Sequence, residues 1–325
     1  MSVLDAKHFH DEEAAYRYVE AILWPQGPVC PHCGSMERVG KLKGKSTRPG
    51  VYKCYECRKP FTVKVGTVFE SSHLPLRHWL QAVFMMAASK KGVSANQLHR
   101  MLGCTLKTAW FLSHRIREAM RSGALTPFGG NGGAVEVDET FIGNDRRNPP
   151  MDGKRGIANM NKVLSLVDRD SGQVRSYVID DLRMATIAPI IDANIAREAR
   201  LMTDEAPRYK GLGWNFAAHG VVNHVAGEYV KAEDPTVHTN TIEGYFSIFK
   251  RGMRGVYQHC DKKHLHRYMA EFDFRYSNRI ALGVDDTARA QNLLRGVKGK
   301  RLTYRTTRSK GRVADWQERA GWSEW

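Results

Sequence analysis

Three carboxylates, far apart in the chain, sit where a fold could bring them together. Asp138 closes an apolar, β-branched run (Ala134-Val135-Glu136-Val137-Asp138), Asp204 closes a second (Leu201-Met202-Thr203-Asp204), and Glu243 lies in an amphipathic helical stretch downstream. Converging, they would form an oxygen-only pocket for Mg²⁺ or Mn²⁺, because hard divalent cations prefer oxygen and keep positions open for water and phosphate. Such a pocket suits phosphodiester cleavage, in which the nucleophile loses a proton and the leaving oxygen gains charge. Two ions about 3.5–4 Å apart can serve both needs. A strand-end aspartate on each of two adjacent strands, faced by a helical glutamate, would supply the ligands.

The local pattern favours Glu243 in that role. In a helix starting near Thr241, with Asn240 or Thr241 as N-cap, Ile242, Phe246 and Phe249 share one face while Glu243, Ser247 and Lys250 share another. Glu243 then points away from the buried stripe near the favourable dipole end, with Lys250 beside it to meet a phosphate. Aspartates also end strands as turn formers or caps, and Glu136, Glu139, Asp168 and Glu205 compete for the same positions.

A second constellation is built from sulfur. Cys30-Pro31-His32-Cys33-Gly34 and Cys54-Tyr55-Glu56-Cys57-Arg58 are two Cys-x-x-Cys knuckles at a spacing suited to a zinc ribbon. Four thiolates from Cys30, Cys33, Cys54 and Cys57 fill a tetrahedral Zn²⁺ completely, so the site would be structural; the alternative is a redox or disulfide role. His32 would be superfluous and face solvent, and Cys104 and Cys260 read as packing residues.

The chain carries 50 Lys and Arg against 34 Asp and Glu among 325 residues, a net charge of +16. So positive a surface attracts polyanions, most naturally nucleic acid, although a merely soluble basic protein would share the charge. The N-terminus has no secretory pattern, and the longest apolar stretch, around Trp79 to Ala88, is too short to cross a bilayer. A cytoplasmic location and no membrane partner are expected.

The elements that must position these groups follow from spacing. A short helix is expected over residues 11–24, then the cysteine module, then helices over Leu74–Ala88, Ser94–Leu102 and Thr105–Met120 in a helix-turn-helix-like layout. On the third of these helices Leu106, Ala109, Phe111, Leu112 and Ile116 would be buried, leaving Lys107, Thr108, Ser113, His114, Arg115 and Arg117 toward solvent. Lys107, Thr108 and Arg115 would contact DNA; the alternative is a plain three-helix support. The Gly- and Pro-rich stretch Ala124–Gly133 marks a boundary. Strands are expected over Ala134–Asp138, Val163–Asp168 and Val174–Asp180, with a hairpin turn at Asp168-Arg169-Asp170-Ser171-Gly172. A helix carrying Ile187, Ile190, Ile191 and Ile195 would then precede the strand ending at Asp204. This order argues for an α+β fold with a mixed sheet and helices against it. Asn144–Asn161 reads as a polar loop, Lys262–Asn278 as a helix, and Thr287–Leu294 as a weaker segment. The tail from Lys298 to Arg312 is basic and contains no acid. The expected division is an N-terminal helix (1–28), a zinc ribbon (29–70), a helix-turn-helix-like module (71–123), a catalytic domain (134–280) and a basic C-terminal extension (281–325).

These motifs together resemble the DDE superfamily of transposases, and within it the bacterial insertion-sequence family 1595, or ISXO-like family. The likeness runs from Cys30-Pro31-x-Cys33-Gly34 and Tyr52-Lys53-Cys54-x-x-Cys57 through Phe61-Thr62-Val63-x-x-Gly66-Thr67-Val68-Phe69 to Val137-Asp138-Glu139-Thr140-Phe141. It resumes at Thr203-Asp204, in His238-Thr239-Asn240-Thr241-Ile242-Glu243-Gly244-Tyr245-Phe246, in Lys250-Arg251-Gly252, and in Phe272-x-Phe274-Arg275-Tyr276-Ser277-Asn278-Arg279. The resemblance implies an RNase H-like catalytic domain with Asp138, Asp204 and Glu243 as metal ligands, Asp138 bridging both ions. Some members of that family have Asn in place of the third acid, and this chain has Asn240 close by, but Glu243 occupies the matching slot and is taken as the ligand. The implied function is binding of terminal inverted repeats in double-stranded DNA, then cleavage and strand transfer, with Lys250, Arg251 and Arg254 on backbone phosphates. Joining two ends implies a homodimer or larger DNA-bound assembly. The rivals are a regulator without catalysis, built on the N-terminal half, and an RNase H-like nuclease that hydrolyses without joining.

Overall fold

The computed structural model describes residues 2–121, 123, 126–145, 156–209 and 211–303. The expectations for the basic tail beyond Thr303, for the middle of the 144–161 loop and for part of the 124–133 boundary lie outside the described residues.

Asp11 caps the first helix, α1 (Glu12–Leu23), by accepting the Ala14 N–H at 2.6 Å, and Ala15, Val19 and Leu23 bury one face at helical spacing. The cysteine module follows as a three-stranded antiparallel sheet, β1 (Val39–Lys41), β2 (Tyr52–Cys54) and β3 (Pro60–Phe61). Its own buried core is only Cys30, Cys54 and Phe61, too little to hold a fold unaided.

Next come α2 (Leu76–Ala88), α3 (Ala95–Leu102) and α4 (Leu106–Met120). Ser94 caps α3 and Thr105 caps α4 through their hydroxyls, and Gly103 takes the left-handed turn between them (φ +62°). On α4 the expected solvent face is corrected. Ser113, His114, Arg115 and Arg117 are all buried, while Leu106 is 45 % exposed. Helix α4 is covered on a second side by a later helix, so its C-terminal half has no solvent face.

The second layer is one mixed sheet. Its strands are β4 (Ala134–Ile142), β5 (Asn161–Asp168), β6 (Val174–Ile179), β7 (Arg200–Asp204) and β8 (Ala218–Val222), with α5 (Met184–Asn194) between β6 and β7. The order across the sheet is β6-β5-β4-β7-β8. The β6-β5 and β5-β4 pairs are antiparallel; β4-β7 and β7-β8 are parallel. Period-two alternation sends Val135, Val137, Leu164 and Leu166 to the face covered by α5. Val163 and Val167 go to the opposite face, covered by α6 (Asn240–Gly252) and α7 (Lys262–Ser277). This is the mixed α+β architecture, sheet between helices, that the RNase H-like resemblance implies. The Asp168–Gly172 hairpin forms as expected, with the Asp168 N–H donating to Gln173 O at 3.0 Å.

Helix α8 (Asp286–Arg295) turns back to the beginning of the molecule, where Leu293, Leu294 and Val297 join the core of α1, α2, α3 and α4. Helix α7 links the layers. Arg117 of α4 donates to Glu271 of α7 at 2.7 Å, with both side chains almost fully buried, and Arg267 of α7 pairs with Glu118 of α4 at 2.6 Å.

Candidate active site

Asp138 is the fifth of the nine residues of β4, not its last, because β5 continues to pair with β4 as far as Ile142. On the other side the parallel pairing with β7 ends at Glu136–Met202. Continuing that register by two residues brings Asp204, the last residue of β7, alongside Asp138. Glu136 and Asp138 fall on the sheet face that receives α6, whose first turn carries Glu243. Burial pushes the Asp138 carboxyl up to about 8, with Glu139, Asp204 and Glu243 adding negative charge, against a single hydrogen bond from the Glu139 N–H at 2.7 Å. Among the described residues, the Asp204 carboxylate accepts the Ala206 N–H at 3.1 Å. Among the described residues, no Lys, Arg or His forms an ion pair with Asp138 or Asp204.

Glu243 has a partner that sequence reasoning missed. His224 Nε2 lies 3.3 Å from Glu243 Oε1 and 3.0 Å from Thr239 Oγ1, while the His224 backbone N–H donates to Glu205 at 2.9 Å. His224 thus ties the loop after Asp204 to the helix bearing Glu243. It follows β8, a short strand (Ala218-His219-Gly220-Val221-Val222) with no apolar alternation, so nothing in the spacing marks it.

The four competing acids are each committed elsewhere. Glu136 is fully buried, pairs with Arg169 Nε at 2.6 Å and His238 Nδ1 at 3.3 Å, and accepts the Ile242 N–H at 2.8 Å. That contact corrects the expected cap of α6: the N-cap residue is Thr239, its side chain makes no cap bond, and a strand carboxylate serves the helix end instead. Glu139 holds Arg208 and the Tyr209 hydroxyl, each at 2.5 Å. Asp168 accepts the Asp170 and Ser171 N–H groups of its hairpin. Glu205 holds the His224 N–H. His238, whose ring and backbone carbonyl both receive Arg169, is a structural histidine.

This donor set fits a divalent cation. A half-buried carboxylate beside two others, without a cation among the described residues on the two aspartates, leaves negative charge that an external ion would neutralise. The three carboxylates do not close to within 4.8 Å of one another, the limit met among the described residues by the cysteines alone. A site for two ions about 3.5–4 Å apart spans more than that.

In the ribbon, all four cysteine sulfurs lie within 4.8 Å of one another, with Cys30–Cys57 and Cys33–Cys54 Sγ separations of 3.6 Å. Tetrahedral zinc with Zn–S near 2.3 Å sets sulfurs about 3.8 Å apart, so the quartet fits Zn²⁺ with only slight movement. His32 is exposed, as expected.

The proposed phosphate contacts are scattered. Lys107 is exposed on the first turn of α4, and Thr108 is half-buried with its N–H on Thr105 Oγ1 at 3.2 Å. Arg115 is 5 % exposed rather than turned to solvent as expected. Lys250 is half-buried on the Glu243 face of α6; Arg251 and Arg254 are exposed. No helix among the described residues is long and apolar enough to cross a membrane.

Residues 131–277 match the ISXO2-like transposase domain family, and residues 10–60 match the transposase zinc-ribbon domain, together more than half of the chain. A Halobacterium salinarum (strain ATCC 700922 / JCM 11081 / NRC-1) protein, described as an uncharacterized protein in transposable element ISH50, is 27 % identical over 293 residues, covering 84 % of this chain and 93 % of that protein. A chain of the simian T-cell lymphotropic virus intasome, in complex with PP2A regulatory subunit B56 gamma, aligns with a TM-score of 0.29 and 13 % identity, over 60 % of this chain and 65 % of that one. A likeness at that level bears on neither fold nor function.

Proposed function

Because the chain belongs to the ISXO2-like transposase family, we propose that it is a DNA transposase that binds the terminal inverted repeats of an insertion sequence and performs metal-dependent cleavage and strand transfer. The observation that carries this reading is the acidic cluster itself: Asp138, half-buried and raised to about 8 beside Asp204 and Glu243, with no cation among the described residues paired to either aspartate. Magnesium or manganese held there would act as a Lewis acid toward the attacking and leaving oxygens. Asp138 and Asp204, on neighbouring strands, and Glu243, across from them, would hold it. His224 orients the Glu243 carboxylate, and Glu136 fixes the end of α6. Lys250, Arg251 and Arg254 continue along and beyond α6, where a phosphate backbone entering the site would pass.

The chemistry is two displacements at phosphorus. Water adds at the element end and frees a 3′-hydroxyl, leaving the phosphate on the flanking strand. That hydroxyl then forms a new P–O bond with the target strand and releases a target 3′-hydroxyl. Two ends need two such sites, so a DNA-bound homodimer or larger assembly is part of the proposal. Zn²⁺ on Cys30, Cys33, Cys54 and Cys57 would be structural, all its positions being filled.

The test uses purified protein, Mg²⁺ and labelled DNA carrying the ends of the host element, scored for cleaved and for joined products. Joined products that vanish with Asp138→Asn support transposition. Hydrolysis alone would turn the reading toward a nuclease, and tight binding without either reaction toward a regulator.

A further inference from the structure

A cavity of about 440 Å³ opens beside the first turn of α4, walled by α2, α4 and the loop preceding α2. Its floor is apolar and aromatic, made by Leu74, Trp79, Phe111 and Leu112, and its polar groups include Ser71, Ser72, His73, Lys107, Thr108 and Arg115. Concave sites with an apolar floor and a few placed polar groups are the usual form of ligand pockets.

Arg115 is the unusual member. It is 5 % exposed, donates to the Glu70 carbonyl at 2.5 Å, and lies 5.2 Å over the Trp79 ring and 5.6 Å over Phe111, yet its Nε has no partner. The buried arginines Arg117, Arg275 and Arg289 each hold a carboxylate; among the described residues Arg115 and Arg175 hold none, and Arg175 has instead the Asn194 side chain and the Thr126 carbonyl. The nearby Glu70 side chain is turned to Arg301, at 3.6 Å, and to the Gly66 N–H. A buried guanidinium without a counter-ion is costly unless something from outside supplies the acceptor.

The loop adds a second sign of a built site. Ser71 has φ +56°, in the left-handed region that a non-glycine residue rarely adopts and that recurs at ligand clamps. Ser72 Oγ accepts from Trp79 Nε1 at 3.1 Å and Leu74 N–H at 3.2 Å, which leaves its own hydrogen to donate.

We infer that this cavity takes one unstacked nucleotide of the bound DNA, its base against Phe111 and the apolar floor and its phosphate toward Arg115. A base stacked inside a duplex cannot reach such a slot, whereas one displaced from the stack presents both a flat apolar face and an anion. The inference rests on the DNA-binding reading above and not on the three carboxylates.

The test is a fluorescence titration of the full-length chain with 2-aminopurine deoxyribonucleoside 5′-monophosphate, with inorganic phosphate and the phosphate-free nucleoside as competitors. Saturable binding is expected, weakly competed by either fragment. It should weaken about tenfold in Arg115→Met, the scale of one lost charge-assisted hydrogen bond. Cys104→Phe, which fills the cavity from a half-buried wall without touching the charge, should weaken it also and keeps the test decisive if Arg115→Met fails to fold. No saturable binding, or binding that Cys104→Phe leaves unchanged, would overturn the inference. Asp138→Asn should abolish strand transfer yet leave nucleotide binding intact, so failure of the pocket and failure of the transposase reading are told apart.

Discussion

At the scale of single residues, the buried acids divide by what surrounds them. Glu136 is fully buried and accepts from the Arg169 guanidinium and from the Ile242 N–H, so removing it strands both together. Glu136→Ala should destabilise the chain by about 3–5 kcal/mol, as expected when one partner of a buried pair is deleted. An unchanged urea midpoint would show that the network contributes nothing. Asp273 behaves differently. Burial pushes its carboxyl from the ordinary 3.8 up to about 7, although the Tyr245 hydroxyl at 2.5 Å and the Ser176 hydroxyl and N–H all donate to it. The folded chain therefore binds this proton more tightly than the unfolded chain. Its contribution is fully present below 3.8 and is lost as pH rises through about 7. Denaturation midpoints should fall as pH rises from 3.8 to about 7, and Asp273→Asn should flatten the fall; an identical slope in the variant would assign it to other groups.

At the scale of elements, the ribbon has too small a core to stand without its staple. Cys30→Ser should release bound zinc and loosen β1, β2 and β3, with a loss of module stability of several kcal/mol, since metal binding in such sites is folding energy. Elemental analysis reads it directly, and unchanged zinc content would contradict the assignment. Elements whose pattern is local were legible in the sequence: the capped helices α1, α3 and α4, the hairpin turn and the strand ending at Asp204. Elements whose character depends on a distant neighbour were not. Strand β4 runs past Asp138, where the expected strand stopped, because β5 pairs there and because Arg208 and Tyr209 satisfy Glu139. Arg115 and Arg117 read as a charged face because the helix that buries Arg117, α7, lies 154 residues farther on at Glu271. His224 carries no local signal at all, and its contact with Glu243 exists only in three dimensions.

At the scale of the whole molecule, the helical layer and the mixed sheet are joined by buried charge. Arg117 and Arg275 converge on Glu271 between α4 and α7, and α8 closes the chain back onto the first core. This places the N-terminal helices and the acidic cluster in one body, as a protein must be built if recognition of a DNA end is to deliver a phosphate to the carboxylates. The pairing of β4 with β7 brings Asp138 and Asp204 to neighbouring strands, and the proposal joins Glu243 of α6 to them. The most direct test is a Mn²⁺ titration of the zinc-loaded chain followed by electron paramagnetic resonance, comparing the parent with Asp138→Asn, Asp204→Asn and Glu243→Gln. Saturable Mn²⁺ uptake in the parent that is lost or greatly weakened in each variant is the predicted result. Uptake that is absent from the parent, or equal in all four proteins, would contradict a metal site built from these carboxylates.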